Sequence, residues 1–471
     1  MLSRLAFSIC SEATIRRMSA KFLVCMLAVA IGCKKEQQGG GNVGAADTGV
    51  IKVGEVGSMT GTEATFGTSS DRGIQLAVTE VNSQGGIKGR QVQVIALDDE
   101  GKPEEAATAA TRLISSEHVT ALLGEVASTR SLFMAPKAQA AKVPMVSPSS
   151  TNEKVTAVGD YIFRACFIDP FQGYVMAKFA TETLKLKKAA ILRDVRNDYS
   201  VGLAKVFNDN FTKMGGQIVD NESYSSGDVD FKAQLTNIKG AAPNALYVPG
   251  YYTDVGLIAR QAREVGLTVP LLGGDGWDSE KLYEIGGAAL EGSFFSNHYS
   301  VDDPSPRIQE FVTKFKKAYG GQVPDSLAAQ AYDAAGMLFD AMKRAKDLTG
   351  PSIREALAQT KDYRGVTGDI TMDEKRNATK PAVVLRVGKG GKYEFSGRIQ
   401  PEGVKETNPA EAPRATPDSP KKTEGNTAPN AAPGTIPTPT QTPPVGATTG
   451  AQSAANTGQP QGVPAGEHSK K

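Results

Sequence analysis

From Ile51 to about Gly397 the chain switches repeatedly between continuous or period-2 apolar runs and helical periodicity, in two successive rounds. The first kind of run predicts strands at Ile51–Met59, Val92–Leu97, Ala121–Val126, Val143–Ser147, Ala189–Arg193, Gln217–Tyr224, Ala245–Pro249 and Val269–Gly273. Helical patterns follow most of them, at Asp71–Asn82, Pro103–Ser116, Ser128–Ala141, Phe171–Leu186, Ser200–Met214 and Asp254–Val265. Gly85-Gly86, Gly215-Gly216, Gly266 and Gly320-Gly321 end periodic runs where a left-handed cap residue is needed. Strands alternating with helices predict an α/β protein whose parallel sheets are covered on both faces. The pattern occurs before and after about Pro170, which predicts two doubly wound lobes, and its period is too long for a solenoid. Helices at Pro304–Tyr319 and Leu327–Arg344 and a hairpin at Ala382–Phe395 complete the set.

The two ends have a different character. Arg16, Arg17 and Lys21 precede the apolar stretch Phe22 to Ile31, as in a secretory signal, and that stretch is too short to span a bilayer. Ala30-Ile31-Gly32-Cys33 resembles a bacterial lipoprotein box, so residues 1–33 are expected to be a signal ending at Cys33, the residue that carries lipid. The 17 residues before Met18 are more than such a signal needs, which leaves Met1 and Met18 both open as the start. Residues 34–50 read as a flexible tether. The stretch 401–471 holds half of the 26 prolines and no Phe, Tyr or Trp, and is expected to be disordered. With 53 basic against 51 acidic residues, no attraction to nucleic acid is implied. Three histidines and four scattered cysteines leave little for a metal site, and no cofactor is expected. After export only Cys166 remains as a free thiol, so stability is expected to come from core size.

In open parallel α/β sheets, ligands bind beyond the carboxyl ends of the strands. Three such ends carry suitable chemistry. Ala127-Ser128-Thr129 opens a helix, where Ser128 either caps the helix or helps hold a carboxylate or phosphate. Ser149, Ser150, Thr151 and Asn152 form a second cluster, a turn or a site. Asp275 stands between Gly274 and Gly276, as a turn former or as the partner of an ammonium. Tyr199 and Tyr251 follow two further strands and can wall an apolar pocket.

The run Ile51-Lys52-Val53 through Gly57-Ser58-Met59-Thr60-Gly61, then Val81-Asn82 before Gly85-Gly86-Ile87-Lys88-Gly89-Arg90, resembles the periplasmic leucine/isoleucine/valine-binding proteins. Leu97-Asp98-Asp99, Val146-Ser147-Pro148 with Thr151-Asn152, Gly250-Tyr251-Tyr252, and Arg260-Gln261-Ala262-Arg263 before Gly266-Leu267 continue the likeness to Phe395. The resemblance implies the type I periplasmic-binding fold, two α/β lobes joined by a three-strand hinge, with residues 51–169 and 300–376 in one lobe and 170–299 and 377–400 in the other. It implies a monomer that delivers its ligand to the permease and ATPase subunits of an ABC importer. By the same likeness the α-carboxylate contacts fall on Ser128 and Thr151, and the ammonium contacts on the Ser149 carbonyl, Thr151 and Asp275. Phe66, Tyr199 and Tyr251 match its aromatic positions. Most relatives have Glu where Asp275 stands, and Gly101 and Ala127 replace a small disulfide of some relatives. Glu125 is expected either to face solvent or to contact a polar ligand side chain. On this reading Asp275→Ala weakens binding at least about tenfold and leaves the ligand-free melt nearly unchanged.

The expected function is capture of a small zwitterion, an apolar amino acid above all, by an extracytoplasmic, lipid-anchored protein. A sensing module that signals to a regulator is the rival reading. An enzyme is not indicated: the chain has no Gly-x-x-x-x-Gly-Lys-Ser/Thr loop and no Gly-x-Ser-x-Gly elbow. His118 and His298 are expected at the surface, and His468 lies in the tail.

Overall fold

The computed structural model describes residues 49–401. The expected signal with Cys33, the tether up to residue 48 and the tail from residue 402 lie outside the described residues.

The first round of alternation is β1 (Ile51–Gly57), α1 (Ala64–Ser83), β2 (Val92–Asp98), α2 (Pro103–Ser115), β3 (Ala121–Leu123) and α3 (Ser128–Ala141). It continues through β4 (Met145–Ser147), α4 (Lys154–Ala157) and β5 (Ile162–Arg164). These strands form one parallel sheet in the order β2-β1-β3-β4-β5. The second round is α5 (Asp169–Lys178), β6 (Lys188–Asp194), α6 (Asp198–Lys213), β7 (Gln217–Tyr224) and α7 (Lys232–Gly240). Then come β8 (Ala245–Tyr247), α8 (Tyr252–Glu264), β9 (Leu271–Gly273), α9 (Glu280–Gly286) and β10 (Phe294–Asn297).

The chain then returns to the first lobe with α10 (Pro306–Ala318), α11 (Ser326–Arg344) and α12 (Gly350–Ala358). A small antiparallel sheet follows, of β11 (Tyr363–Gly365), β12 (Gly368–Met372) and β13 (Ala378–Thr379). The hairpin β14 (Ala382–Val387) and β15 (Tyr393–Ile399) pairs antiparallel to β10 and closes the second, seven-stranded sheet, ordered β15-β14-β10-β9-β8-β6-β7. Three segments therefore carry the chain between lobes: residues 165–168, 298–305 and 380–381.

Each sheet is apolar on both faces because helices cover both. In the first lobe Ile51, Val53 and Leu123 pack toward Ile74 of α1 and Leu338 of α11, while Val56, Leu122 and Met145 pack toward Leu113 of α2 and Met134 of α3. Gly73 lets α1 and α11 cross closely: a Cβ there would fall 2.1 Å from the Ala328 carbonyl. In the second lobe Leu192, Leu246 and Leu271 meet α8, and Ile191, Tyr247 and Leu272 meet α5 and α6. Each large aliphatic or aromatic side chain so buried contributes about 1.5–3 kcal/mol.

Candidate functional site

The first-lobe wall of the cleft is built where β3 and β4 end. Ala127 is the residue before α3 and offers no side-chain cap, so Ser128 does not cap the helix. Its Oγ accepts the Asn152 N–H at 3.2 Å and keeps its own hydrogen to donate. Ser149 Oγ likewise accepts from Gln330 Nε2 of α11 at 3.0 Å. The neighbouring hydroxyls are committed elsewhere: Ser131, Ser147 and Ser150 all donate to the Glu125 carbonyl, at 2.9, 2.7 and 3.0 Å. Arg164, fully buried in β5, donates to the Ser150 and Asn152 carbonyls at 2.5 and 2.8 Å and to Thr156 Oγ1 at 3.1 Å. The turn that presents Ser149 is thus braced from below by a cation.

The second-lobe wall is aromatic and acidic. Tyr199 opens α6 and Tyr251 precedes α8, and their rings stack with centroids 5.3 Å apart. The loop after β9 runs beneath them as Gly274-Asp275-Gly276. A Cβ on Gly274 would lie 2.4 Å from the Tyr199 hydroxyl, and one on Gly276 would lie 2.8 Å from the Tyr251 ring, so both positions need glycine. The Gly276 N–H donates to that Tyr199 hydroxyl at 3.2 Å. Asp275, buried, accepts Gln172 Nε2 of α5 on Oδ1 at 2.7 Å and faces His298 Nε2 with Oδ2 at 3.0 Å.

Between the walls lies a small cavity lined by Phe66, Val126, Ser128, Ser149, Tyr199, Tyr251, Asp275, Gly276 and Leu327. Six of the seven residues singled out from sequence meet there. Thr151 is equally buried but stands outside the lining; its carbonyl accepts the Asp169 N–H at 2.9 Å, and its hydroxyl has no partner among the described residues. Phe66 meets Tyr251 edge to face at 5.3 Å, so first-lobe and second-lobe aromatics form one wall. Val126 and Leu327 are apolar lining that pattern reasoning did not single out.

Two expectations fail. Glu125 faces neither solvent nor the cavity: it is wholly buried, bonded to Arg130 Nε at 3.0 Å and to the Ser58 N–H at 3.3 Å. Burial pushes its carboxyl up to about 7, against the pull of Arg130. His298 is not at the surface but buried behind Asp275, its ring stacked on Phe167 at 3.8 Å between centroids. Burial lowers its pKa to about 4 although Asp275 works the other way. Asp169, the first residue of α5, is a further buried acid near the site. Neither of its oxygens has a hydrogen-bond partner among the described residues, and burial raises it to about 8.

The lobes also touch directly. The Asn152 amide donates to the Asp198 carbonyl at 2.8 Å, Lys154 Nζ reaches Asp198 Oδ1 at 2.9 Å, and the Asp198 N–H donates to Thr129 Oγ1 at 2.9 Å. Thr253 Oγ1 donates to the Thr62 carbonyl at 2.7 Å, and Thr65 Oγ1 pairs with Ser279 Oγ at 3.0 Å. The cleft is closed. Among the described residues no group of three or more His, Cys, Asp or Glu gathers to hold a metal ion.

Known proteins share this arrangement. A family model described as periplasmic binding protein matches residues 50–392. The Leu/Ile/Val-binding protein homolog 2 of Brucella abortus (strain 2308) is 30% identical over 350 residues, which cover 73% of this chain and 93% of that protein. The crystal structure of a leucine-binding protein from Thermotoga maritima MSB8 is 42% identical with a TM-score of 0.72, covering 75% of this chain and 100% of that one. The branched-chain amino acid transporter substrate-binding protein of Streptococcus pneumoniae, solved in complex with isoleucine, is 35% identical with a TM-score of 0.71 over 75% of this chain and 100% of its own. Two lobes, a cleft between them and a match over most of the sequence lead to one conclusion: this chain belongs to the periplasmic binding protein family.

Proposed function

We propose that the chain is an extracytoplasmic solute-binding protein that captures a small zwitterion, an apolar or branched-chain amino acid, by cleft closure and delivers it to an ABC importer. One observation carries this reading: hydroxyl donors on one lobe and a buried carboxylate on the other face a single cavity whose remaining walls are apolar. Ser128 and Thr151 take the ligand's carboxylate, and the Ser149 carbonyl, Thr151 and Asp275 take its ammonium. Phe66, Tyr199 and Tyr251 shield both from water and, with Val126 and Leu327, hold the side chain. Hydrogen bonds to charged groups contribute about 1.5–3 kcal/mol each. Because these contacts come from both lobes, the ligand binds the closed form better than the open one and shifts the equilibrium by that difference. The closed shape is what the importer's permease would recognise. A lipid on Cys33 would hold the protein at the membrane as a monomer.

The family is one of solute-binding proteins and not of enzymes. Selectivity among aliphatic ligands is expected to be shallow, since one buried methylene is worth about 0.8 kcal/mol, or about fourfold. The test is calorimetric titration with leucine, isoleucine, valine, phenylalanine and small neutral amides. Saturable binding of at least one apolar amino acid is expected. Binding of amides alone would remove the zwitterion from this account.

A further inference from the structure

Each of the three segments that join the lobes contributes to one buried group behind Asp275. The first supplies Phe167, the second His298 and the third Lys380. The His298 ring stacks on Phe167 with 18° between planes, and Lys380 Nζ donates to the Ala165 carbonyl at 3.2 Å. His298 Nε2 lies 3.0 Å from Asp275 Oδ2, whereas its Nδ1 has no hydrogen-bond partner among the described residues. A neutral ring in that setting carries its proton on Nε2, because a carboxylate oxygen can only accept. Gln172 occupies the other oxygen from α5, so both lobe-side positions on Asp275 are filled by donors.

We infer that His298 is a positioning residue for solute capture: mounted on the second connecting segment, it donates Nε2–H to Asp275 and turns the remaining lone pairs of that carboxylate toward the cavity. This rests on the reading of Asp275 as the ligand's cation partner. It explains how an aspartate, one methylene shorter than glutamate, is held in a defined orientation. It also ties the grip on the ligand to hinge geometry, since any movement of residues 298–305 moves the ring.

The charged groups around the ring fix how this arrangement responds to acid. Asp275 faces Nε2, and the Lys380 ammonium, which burial lowers to about 8, stands on the third segment. Cys166, Arg164 and Asp169 complete the buried group around Asp275 and Lys380. Burial holds the ring down to about 4, so it stays neutral through the physiological range. Once protonated on Nδ1 as well, the imidazolium neutralises Asp275 and competes with the ligand's ammonium.

The experiment compares wild type, His298→Leu and His298→Gln by calorimetry with L-leucine at about pH 7.5 and about pH 5, with melting curves as the check on folding, alongside nitrogen NMR of the wild-type imidazole rings without ligand. His298→Leu is expected to lose about tenfold or more in affinity, and His298→Gln, which keeps an N–H donor, to regain most of it. Wild-type affinity is expected to hold between about pH 7.5 and about pH 5, because a ring that titrates near 4 is only about one-tenth charged at the lower value. A steep fall there that His298→Gln abolishes would overturn the inference. Equal affinity in wild type and a folded His298→Leu overturns the positioning role and leaves the proposed function standing. Failure of wild type to bind leucine or the other amino acids overturns the proposed function instead, and the NMR arm then decides. A ring that is the Nδ1–H tautomer, or that titrates near the ordinary 6.5, refutes the inference; a neutral Nε2–H ring whose signal moves in Asp275→Asn sustains it.

Discussion

The two walls of the cleft are made from different materials. The first-lobe wall is neutral: short strands end in serines, and most of its hydroxyls are consumed in fixing the Glu125 carbonyl and the turn after β4. Only Ser128 and Ser149 face the cavity. The second-lobe wall carries the acid and the stacked tyrosines, and its acid is backed by Gln172 and the hinge-mounted His298. The difference teaches a division of labour. One lobe offers two weak, rigidly held hydroxyls that are present before closure, and the other offers one strong interaction that closure completes.

The largest expected effect comes from breaking the acidic side. Asp275→Asn removes the charge, keeps the shape, and should weaken leucine binding by about 10–100-fold in calorimetry. Asp275→Ala should do the same but also lower the ligand-free melt, because the Gln172 and His298 donors lose their acceptor; the structure thus revises the expectation of an unchanged melt. On the neutral side, Ser128→Ala should cost only about 2–10-fold, as for one uncharged hydrogen bond. If Ser128→Ala proves as damaging as Asp275→Asn, the division between the walls fails. Smaller again is Asp198→Ala, which removes a ligand-independent contact between lobes. It should weaken binding about two- to fivefold and expand the ligand-free protein in small-angle scattering.

The smallest effect is on stability against pH. Burial raises Glu125 and Asp325 to about 7 and Asp169 to about 8. The unfolded chain releases these protons near pH 4, so stability falls as pH rises from about 4 to 8. His298 acts in the opposite sense: its folded value of about 4 lies below the ordinary 6.5, so stability is lost as pH falls between them. Three raised acids outweigh one depressed histidine, so the ligand-free melting temperature should fall as pH rises from about 5 to 8. Asp169→Asn should raise it by a few degrees at about pH 8 and by clearly less at about pH 5. Parallel wild-type and variant curves would show that Asp169 is not the strained acid its unpartnered oxygens indicate.

Sequence patterning was a good guide where a strand or helix carried its own apolar face. The strands at 121 and 245 end sooner than predicted because the apolar run continues into the loop beyond, and those at 145 and 271 start later than predicted, just after Pro144 and Pro270. Strand β5 escaped notice because Arg164 interrupts it, and β10 because Ser296 and Asn297 are polar yet buried. Helix α1 begins at Ala64 rather than Asp71; Gly67 weakens the helical signal there, but the close approach of Ser58 requires it. At the site, residue types at strand ends pointed to the right loops. Which hydroxyls face the cavity depends on a carbonyl at Glu125, and Asp275 is braced by Gln172, 103 positions before it, and by His298, 23 positions after it. Such information exists only once the lobes are folded together.

The bonds that Asn152, Lys154 and Thr129 share with Asp198, and that Thr253 makes to Thr62, join the halves through protein groups alone. A receptor fastened partly by its own residues is shut for some of the time while vacant. A transporter that responds to outline alone would then be triggered by unloaded copies, and ATP hydrolysis would never fall to zero when nutrient runs out. On the proposed function, the Asp198 contacts would then bear on the background of idle cycling as well as on the strength of capture.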